Sequence, residues 1–212
     1  MTTPLRLLRH TLASTFLLLA FSISTAGAQT TKPVAPATLK AVLTSPRPTP
    51  VAGSAQGDVT IVEYFDYNCP DCRALDPKVR KLLASDSGVR VIRKDWPVFG
   101  DVSAYAAYCS YAAASEGKYQ AAHDALISSK QDLDKKEDVQ SVMRAAGFDM
   151  TKIDADIAQH EKQYSAIIAA NEHETEALGL KGTPGVIIGG QVVLGSIDYA
   201  RLVSLVAQAR KH

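Results

Sequence analysis

Apolar residues along the chain fall into strand-like runs and helix-like repeats. The run Asp58–Tyr67 (DVTIVEYFDY) is β-branched, aromatic and almost continuously apolar, which predicts a central strand buried on both faces. The following segment, PDCRALDPKVRKLLASD, places its leucines and valine at helical spacing, with a proline in the first turn. Gly88–Phe99 then predicts a second strand that ends at Pro97. The folded part therefore begins as β-α-β.

A block with helical character and no convincing strand comes next, over about residues 101–179. Its periodic segments end at Gly117, Gly147 and Gly179, and glycine in this place is a helix C-cap signal. Two short β-branched runs across GG then predict a tight hairpin, and an amphipathic helix follows. We therefore predict an α/β domain over 58–212, with an all-helical insertion between its β-α-β and β-β-α halves.

The beginning of the chain has a different composition. Arg6 and Arg9 precede an apolar run that is short for a membrane span, and Ala26–Ala28 has the small-x-small pattern of a cleavage site. Residues 1–28 are thus predicted to be a secretory signal peptide, with an uncleaved anchor as the alternative. Residues 29–57 are rich in Pro, Ala, Thr and Ser, which predicts a linker with at most a turn or two of helix in ATLKAVL.

Charge and cysteine content narrow the classes of partner. The 23 basic and 22 acidic side chains give a net charge of +1, and the predicted signal peptide contains two arginines and no acid, so its removal changes this to −1. A near-neutral chain without a basic run gives no electrostatic reason to expect nucleic acid or anionic membrane. Export would place Cys69, Cys72 and Cys109 in an oxidising compartment, and an odd number argues against a disulfide-stapled mini-fold.

Cys69 and Cys72 form a C-x-x-C motif where the first strand meets the first helix. Zinc would require further Cys or His ligands at matching spacing, and haem attachment requires a His where Arg73 stands. A redox pair requires its first cysteine at a helix N-terminus, where free N–H groups stabilise a thiolate. We therefore favour a redox pair, and we keep a metal site and an inert structural disulfide as alternatives.

Four motifs carry a resemblance to a known family: VEYFDYNCPDCR, KDWPVFG, KYQAAHDAL and GLKGTPGVIIGGQVVLG. In their order and spacing the chain resembles the DsbA-like branch of the thioredoxin superfamily, and within it the periplasmic oxidoreductases of the suppressor-of-copper-sensitivity C type. The similarity covers roughly Val51 to the C-terminus. It implies a thioredoxin-like fold with a helical insertion, and chemistry that needs no metal or organic cofactor beyond the Cys69–Cys72 disulfide.

The resemblance also implies roles for single residues. Cys69 falls on the exposed attacking nucleophile, and Cys72 falls on the buried resolving cysteine. Pro184 falls on a cis-proline beside the disulfide, which lets the backbone of Thr183 face an extended substrate chain. An ordinary trans proline in a loop is the alternative.

Three further residues have a functional and a structural interpretation. Glu63 falls on an acid that lies beneath the active site and relays protons to the resolving cysteine; otherwise it is an acid paired with Lys94 or placed at the sheet edge. We interpret His123 as a hydrogen-bonded helix residue rather than a ligand. Cys109 is interpreted as a small buried hydrophobic residue rather than a second redox centre.

Asp71 departs from the strongly oxidising relatives, which carry His at this position. An ionised aspartate at ~6 Å adds a like charge that raises the pKa of Cys69 by about one unit. We therefore assign Asp71, with Pro70 beside it, to tuning of that pKa, and predict a weaker oxidant. Thr183 before the proline resembles the isomerase and reductase branch. The alternative is that Asp71 only favours the first helical turn.

The leading prediction is a periplasmic thiol-disulfide oxidoreductase that exchanges disulfides with cysteine-containing exported proteins and is reset by a membrane redox partner. The alternative is a copper-binding or chaperone-like protein in which Cys69 and Cys72 hold Cu(I) without turnover. Some relatives form trimers through a long amphipathic N-terminal helix. Because residues 29–57 are short, proline-rich and without sustained heptads, we predict a monomer.

Overall fold

A computed structural model describes residues 31–45, 50–194 and 197–211, so the predicted signal peptide over 1–28 lies outside the described residues. The elements in chain order are β1 (Thr31–Pro33), α1 (Pro36–Leu43), β2 (Val51–Gly53), β3 (Val59–Phe65), α2 (Pro70–Ser85), β4 (Val89–Asp95), α3 (Asp101–Ser115), α4 (Tyr119–Ile127), α5 (Lys136–Ala145), α6 (Met150–Leu178), β5 (Gly185–Ile188), β6 (Gln191–Leu194) and α7 (Tyr199–Ala209).

The strands form one mixed sheet in the order β1-β6-β5-β3-β4-β2. β3 pairs in parallel with β4 and antiparallel with β5. β5 and β6 form an antiparallel hairpin. Helices α3 to α6 are inserted between β4 and β5. The predicted fold class, a thioredoxin-like α/β fold with an all-helical insertion, is confirmed.

Successive side chains of the central strands point to opposite faces of the sheet, and both faces are covered by helices. Ile61 packs with residues of α2 and α7, whereas Val62 and Tyr64 pack with residues at the end of α6. Every residue of β3 except Thr60 is buried. The alternation places Glu63 on the α2 face, inside the molecule.

The insertion has a hydrophobic core of its own that continues into the end of β3. Phe65, Tyr67 and both cysteines of the motif belong to the same buried cluster as residues of α3, α4, α5 and α6. The C-terminal end of β3 is therefore held between the sheet and the insertion, and this is where the cysteines lie.

The prediction that residues 29–57 form a linker outside the folded domain is wrong for its described part. β1 pairs with β6 and β2 pairs with β4, so the segment supplies both edges of the sheet, and α1 buries Val42. Each strand is only three residues long. At an edge, backbone hydrogen bonds to a neighbouring strand are enough, and a proline such as Pro33 is tolerated. Such strands leave no periodic apolar pattern.

Glycines occupy the positions where the backbone needs a positive φ. Gly179 closes α6 in the left-handed conformation with φ 72°, and Gly189 and Gly190 form the hairpin turn with φ 55° and 73°. At 29 residues α6 is the longest described helix. Neither α6 nor any other helix within the described ranges combines the length and apolarity needed to cross a membrane.

Candidate active site

Cys69 is the N-cap residue of α2, in extended conformation, and Pro70 occupies the first helical turn. The short connection from β3 is closed by a hydrogen bond from the Cys69 N–H to the carbonyl of Asp66 (3.1 Å). A proline in this turn forfeits no helical hydrogen bond, and the free N–H groups behind it point towards the cysteine. Both cysteines of the motif are free thiols in this structure.

The two thiols have opposite electrostatic environments. The hydrogen bond with Cys72, supported by Thr183 and by the backbone N–H groups of Cys72 and Asp71, lowers the pKa of Cys69 to about 6, although burial opposes this. Burial raises the pKa of Cys72 well above its usual range, and the charges of Cys69 and Glu63 add to the effect. A thiolate is therefore stable on the first cysteine and not on the second.

The expected exposure of Cys69 is wrong for this structure. Only 3% of its surface is accessible, compared with 0% for Cys72. The sulfur lies against the loop before β5 and donates a hydrogen bond to the carbonyl of Thr183 at 3.3 Å. The loop that the resemblance places beside the disulfide thus covers the nucleophile, and a substrate must contact both at once.

Thr183 and Pro184 form this covering loop. The peptide bond between them is cis, and β5 begins at the next residue, paired with β3. The Thr183 hydroxyl is buried, and this side chain helps to lower the pKa of the Cys69 thiol. The structure thus brings Thr183 and Cys69 together from positions 114 residues apart. A role of this loop in binding substrate stays a prediction.

Glu63 is a buried carboxylic acid, with 3% of its surface accessible. Burial raises its pKa to about 7, the positive charge of Arg93 opposes the rise, and the negative charge of Asp76 adds to it. The charge of Glu63 in turn raises the pKa of Cys72. A carboxyl group that titrates near neutral pH and interacts electrostatically with the resolving thiol is suited to proton transfer.

The alternative that Lys94 satisfies Glu63 is wrong. Lys94 lies opposite Tyr64 in the β3–β4 register, and its ammonium group pairs with Glu174 of α6 at 2.5 Å. Glu63 lies opposite Arg93 instead. Because neighbouring residues of a strand point to opposite faces, the one-residue difference puts Lys94 on the α6 side of the sheet and Arg93 on the α2 side.

Comparison with known proteins agrees with this geometry. The family model described as Thioredoxin matches residues 45–208. This chain belongs to the thioredoxin family. A thioredoxin-like oxidoreductase from Silicibacter pomeroyi DSS-3 is 35% identical, with 79% of this chain and 95% of that chain covered and a TM-score of 0.74. The catalytic domain of Proteus mirabilis ScsC is 25% identical, covers 83% and 97% of the two chains and has a TM-score of 0.72. The predicted DsbA-like resemblance is confirmed.

Some curated relatives are much longer proteins. The Na(+)/H(+) antiporter NhaA 3 of Salinispora tropica is 28% identical over 162 residues, which is 75% of this chain and 24% of the antiporter. The chain therefore spans about a quarter of the length of the curated relatives of this kind. The similarity concerns a thioredoxin-family domain and not the whole protein.

Behind the thioredoxin-family motif lies a charged network that the sequence analysis missed. Asp76 of α2 lies 2.7 Å from Arg80, 3.4 Å from Nε2 of His123 and 3.6 Å from Arg93. Burial lowers the pKa of His123 to about 4, so its ring is neutral at pH 7. Asp76 and Arg80 are four residues apart on one helix, the spacing of an ion pair, which was the available signal.

The same network contains atoms that resemble a metal site. Ligand atoms of Asp76, His123 and Asp124 lie within 4.8 Å of one another. Arg80 contacts both carboxylates, at 2.7 and 3.6 Å, and Arg93 adds a second positive charge. The guanidinium groups already provide the positive charge that a cation would supply. The arrangement therefore favours a buried ion-pair network over a metal centre.

Asp66 and Asn68 hold the active-site loop in place and were also missed. Asp66, 2% exposed, accepts hydrogen bonds from the N–H groups of Asn68 (2.7 Å) and Phe99 (2.9 Å) and from the hydroxyl of Ser103 (2.7 Å). The Asn68 amide donates to the carbonyl of Leu133 at 3.0 Å. In the sequence Asp66 and Asn68 lie beside Tyr67 and just before Cys69, and no spacing or motif marks them as residues that hold the loop.

The third cysteine lies away from the pair. Cys109 of α3 is completely buried in the core of the insertion, and burial raises the pKa of its thiol to about 12. A thiol that stays protonated and inaccessible at neutral pH does not take part in exchange. The interpretation of Cys109 as a buried hydrophobic residue agrees with this environment.

Proposed function

We propose that this protein is a thiol-disulfide oxidoreductase that exchanges disulfides with cysteine-containing exported proteins. The observation that supports the proposal is the asymmetry of the pair: the pKa of Cys69 is lowered to about 6, while that of Cys72 is raised. Only a thiolate attacks a disulfide, so at neutral pH Cys69 is the attacking group and Cys72 remains a thiol. The electrons are carried by the cysteine pair, and no organic cofactor is needed.

In the reducing direction, the Cys69 thiolate attacks one sulfur of a substrate disulfide. A bond forms between Cys69 and that sulfur, and the other substrate sulfur leaves as a thiolate. Glu63 then accepts the proton of Cys72, whose thiolate attacks the Cys69 sulfur and releases the second substrate sulfur. The substrate gains two electrons, and the protein ends with a Cys69–Cys72 disulfide.

In the oxidising direction the same steps run in reverse. A substrate thiolate attacks Cys69 in the disulfide form, and Cys72 leaves as a thiolate that takes a proton from Glu63. A second substrate thiolate then attacks the substrate sulfur of the mixed disulfide and releases the Cys69 thiolate. With a pKa near 7, Glu63 is able both to give and to accept this proton at neutral pH.

The proposal also covers substrate binding, cellular location, oligomeric state and oxidising strength. The Thr183 backbone beside Cys69 pairs with an extended substrate segment in the manner of an edge strand. The predicted signal peptide supports a periplasmic location, where a membrane redox partner resets the cysteine pair. The protein acts as a monomer, and Asp71 makes it a weaker oxidant than relatives with His at that position.

Turnover assays on the mature protein test the proposal. We expect oxidation of a dithiol peptide by the disulfide form, or repair of a scrambled disulfide protein by the dithiol form, with many turnovers per molecule in a glutathione buffer. Cys69→Ser abolishes both, whereas Cys109→Ser retains turnover and serves as the matched control. Binding of Cu(I) by the dithiol form without turnover of any substrate would instead favour the metal-binding alternative.

A further inference from the structure

A cleft of about 410 Å³ opens beside Cys69. Its walls come from three segments that are far apart in sequence: the start of α2, the β4–α3 loop with the first turn of α3, and the α4–α5 loop. The residues that matter here are Asn68, Pro70, Phe99, Val102, Asp132 and Asp134. Asn68 and Pro70 are the immediate neighbours of the nucleophile, so the cleft is within reach of a substrate bound to Cys69.

The three walls are fixed to one another by partly buried hydrogen bonds. Asp66 binds the N–H groups of Asn68 and Phe99, which joins the first wall to the second. Asn68 binds the carbonyl of Leu133, which joins the first wall to the third. The cleft is therefore formed before a substrate arrives, and little conformational entropy is lost when it is filled.

The cleft combines an apolar wall with negative charge. Phe99 and Val102 supply the apolar wall, and Phe99, 54% exposed, is one of the four large apolar residues that are exposed in the described chain. Asp132 and Asp134 are exposed and form no ion pair with any described residue. An exposed aromatic side chain beside exposed carboxylates suits a partner that has both apolar and basic groups.

Arg73 also lines the cleft, but its guanidinium group is already bonded to the protein. Nε donates to the carbonyl of Tyr67 at 2.7 Å, and one terminal nitrogen donates to the carbonyls of Ser129 (3.0 Å) and Gln131 (3.4 Å). The other terminal nitrogen is buried. Nε of Arg73 thus holds the active-site loop and one terminal nitrogen holds the α4–α5 loop, while the other terminal nitrogen has no hydrogen-bond partner among the described residues. The two aspartates are the exposed charged groups of the cleft.

An extended substrate places the side chains of residues i and i+2 on the same side, about 7 Å apart. When its cysteine meets Cys69, the residue two positions away points to the same side, and the cleft is lined by the two residues that flank Cys69 in the chain. We propose that this cleft is a specificity subsite that takes an apolar side chain against Phe99 and, two residues further along the substrate, a Lys or Arg against Asp132 and Asp134. The inference rests on the proposed function, and the ligand is an apolar-basic segment next to a substrate cysteine.

Peptide competition for Cys69 tests the subsite. Peptides carry one cysteine as a mixed disulfide with thionitrobenzoate, with Leu or Ala two positions later and Lys or Glu four positions later, in the combinations Leu-Lys, Leu-Glu and Ala-Lys. Attack of the Cys69 thiolate on the peptide sulfur releases coloured thionitrobenzoate, so each rate is read directly. We expect Leu-Lys to react about fivefold faster than Leu-Glu at low salt, and the ratio to fall below about twofold at ~0.5 M NaCl.

Matched variants test whether the rate ratio of Leu-Lys to Leu-Glu depends on the residues of the cleft. The double substitution D132N/D134N should bring the ratio close to one, and Phe99→Ser should slow Leu-Lys more than Ala-Lys. The double substitution E161Q/E172Q removes the same charge from exposed positions of α6 and should leave the ratio unchanged. Equal rates for all peptides in the unaltered protein, or a ratio that survives D132N/D134N, would overturn the subsite.

Reaction with a small neutral disulfide, dithiodipyridine, distinguishes failure of the subsite from failure of the proposed function. If it and the peptides all react with Cys69 at rates that ignore the peptide sequence, the proposed function stands and the subsite is refuted. If neither it nor any peptide reacts, Cys69 is not a nucleophile, and the proposed function and the subsite are both refuted.

Discussion

Arg93 lies directly opposite Glu63 across the parallel β3–β4 ladder, and its guanidinium group reaches to 3.6 Å from Asp76 on α2. Arg93 is 1% exposed, so its charge acts on Glu63 with little screening by water. Burial raises the pKa of Glu63, and the positive charge of Arg93 limits the rise, so that the pKa is about 7. The resolving thiol thus has a proton acceptor that is half ionised near pH 7.

The first prediction concerns stability and pH. Because burial raises the pKa of Glu63 from 4.5 to about 7, the folded protein keeps a proton that the unfolded chain has lost between these values. The free energy of unfolding therefore falls as pH rises through this window, by about 3 kcal/mol from this group. Glu63→Gln does not titrate. We therefore expect the free energy of unfolding of the variant, measured with denaturant on the dithiol form, to increase relative to that of the unaltered protein between about pH 4 and 8.

The comparison of the two proteins removes other titrating groups. Asp95, whose pKa burial also raises to about 7, is present in both and cancels in the difference. A difference that stays constant with pH would mean that Glu63 is not protonated at neutral pH, and a difference of the opposite sign would place its pKa below 4.5.

The second prediction concerns the charge of Arg93. Arg93→Met removes the group that lowers the pKa of Glu63, and we expect that pKa to rise by about one unit. If Glu63 accepts the proton of Cys72, the pH midpoint for resolution of a mixed disulfide at Cys69 shifts upwards by the same amount. Single-turnover release of a chromophoric thiol over a range of pH measures the midpoint.

Arg93→Lys keeps a positive charge at the same position and is the matched control. It should hold the midpoint near that of the unaltered protein. A midpoint that moves equally in both variants would indicate structural damage instead of an electrostatic effect. No movement in either variant would show that the proton leaves Cys72 by a route that does not involve Glu63.

The third prediction concerns the thiolate of Cys69. The hydrogen bond with Cys72 is the largest cause that lowers the pKa of Cys69 to about 6. Cys72→Ala removes the donor and should raise this pKa by at least one unit, whereas Cys72→Ser keeps a hydroxyl donor and should raise it less. Thiolate absorbance near ~240 nm over a pH titration gives the pKa. Equal values for the two variants would mean that the helix N-terminus alone stabilises the thiolate.

The arrangement of the central elements was predictable because burial leaves a strong pattern. The near-continuous apolar run of β3 and the helical spacing of Leu75 and Val79 were sufficient to place Cys69 at a strand-helix junction. The edge strands β1 and β2 were not predictable, because three residues held by backbone hydrogen bonds leave no side-chain period. A long buried strand is therefore predictable from its apolar pattern, whereas a short edge strand is not.

The site was only partly predictable for a related reason. Residue type identifies Cys69 and Cys72, but an ion pair depends on the register between strands, which a one-residue shift reverses. The register selected Arg93 and placed Lys94 on the other face of the sheet. The low accessibility of Cys69 was equally hidden, since it depends on a loop more than 100 residues later in the chain.

The last prediction concerns Asp71, which is exposed in the first turn of α2, one residue beyond Pro70. Its backbone N–H helps to lower the pKa of Cys69, and this contribution does not depend on the side chain. We expect the carboxylate to place a negative charge near the thiolate and so to destabilise the dithiol form. Asp71→His removes that charge and adds a donor, so we expect the Cys69–Cys72 reduction potential to rise by about 30 mV, measured by equilibration with glutathione. Asp71→Asn removes the charge without adding a cation and should give a smaller rise. A potential that is unchanged or lower in Asp71→His would show that the side chain serves only the helix.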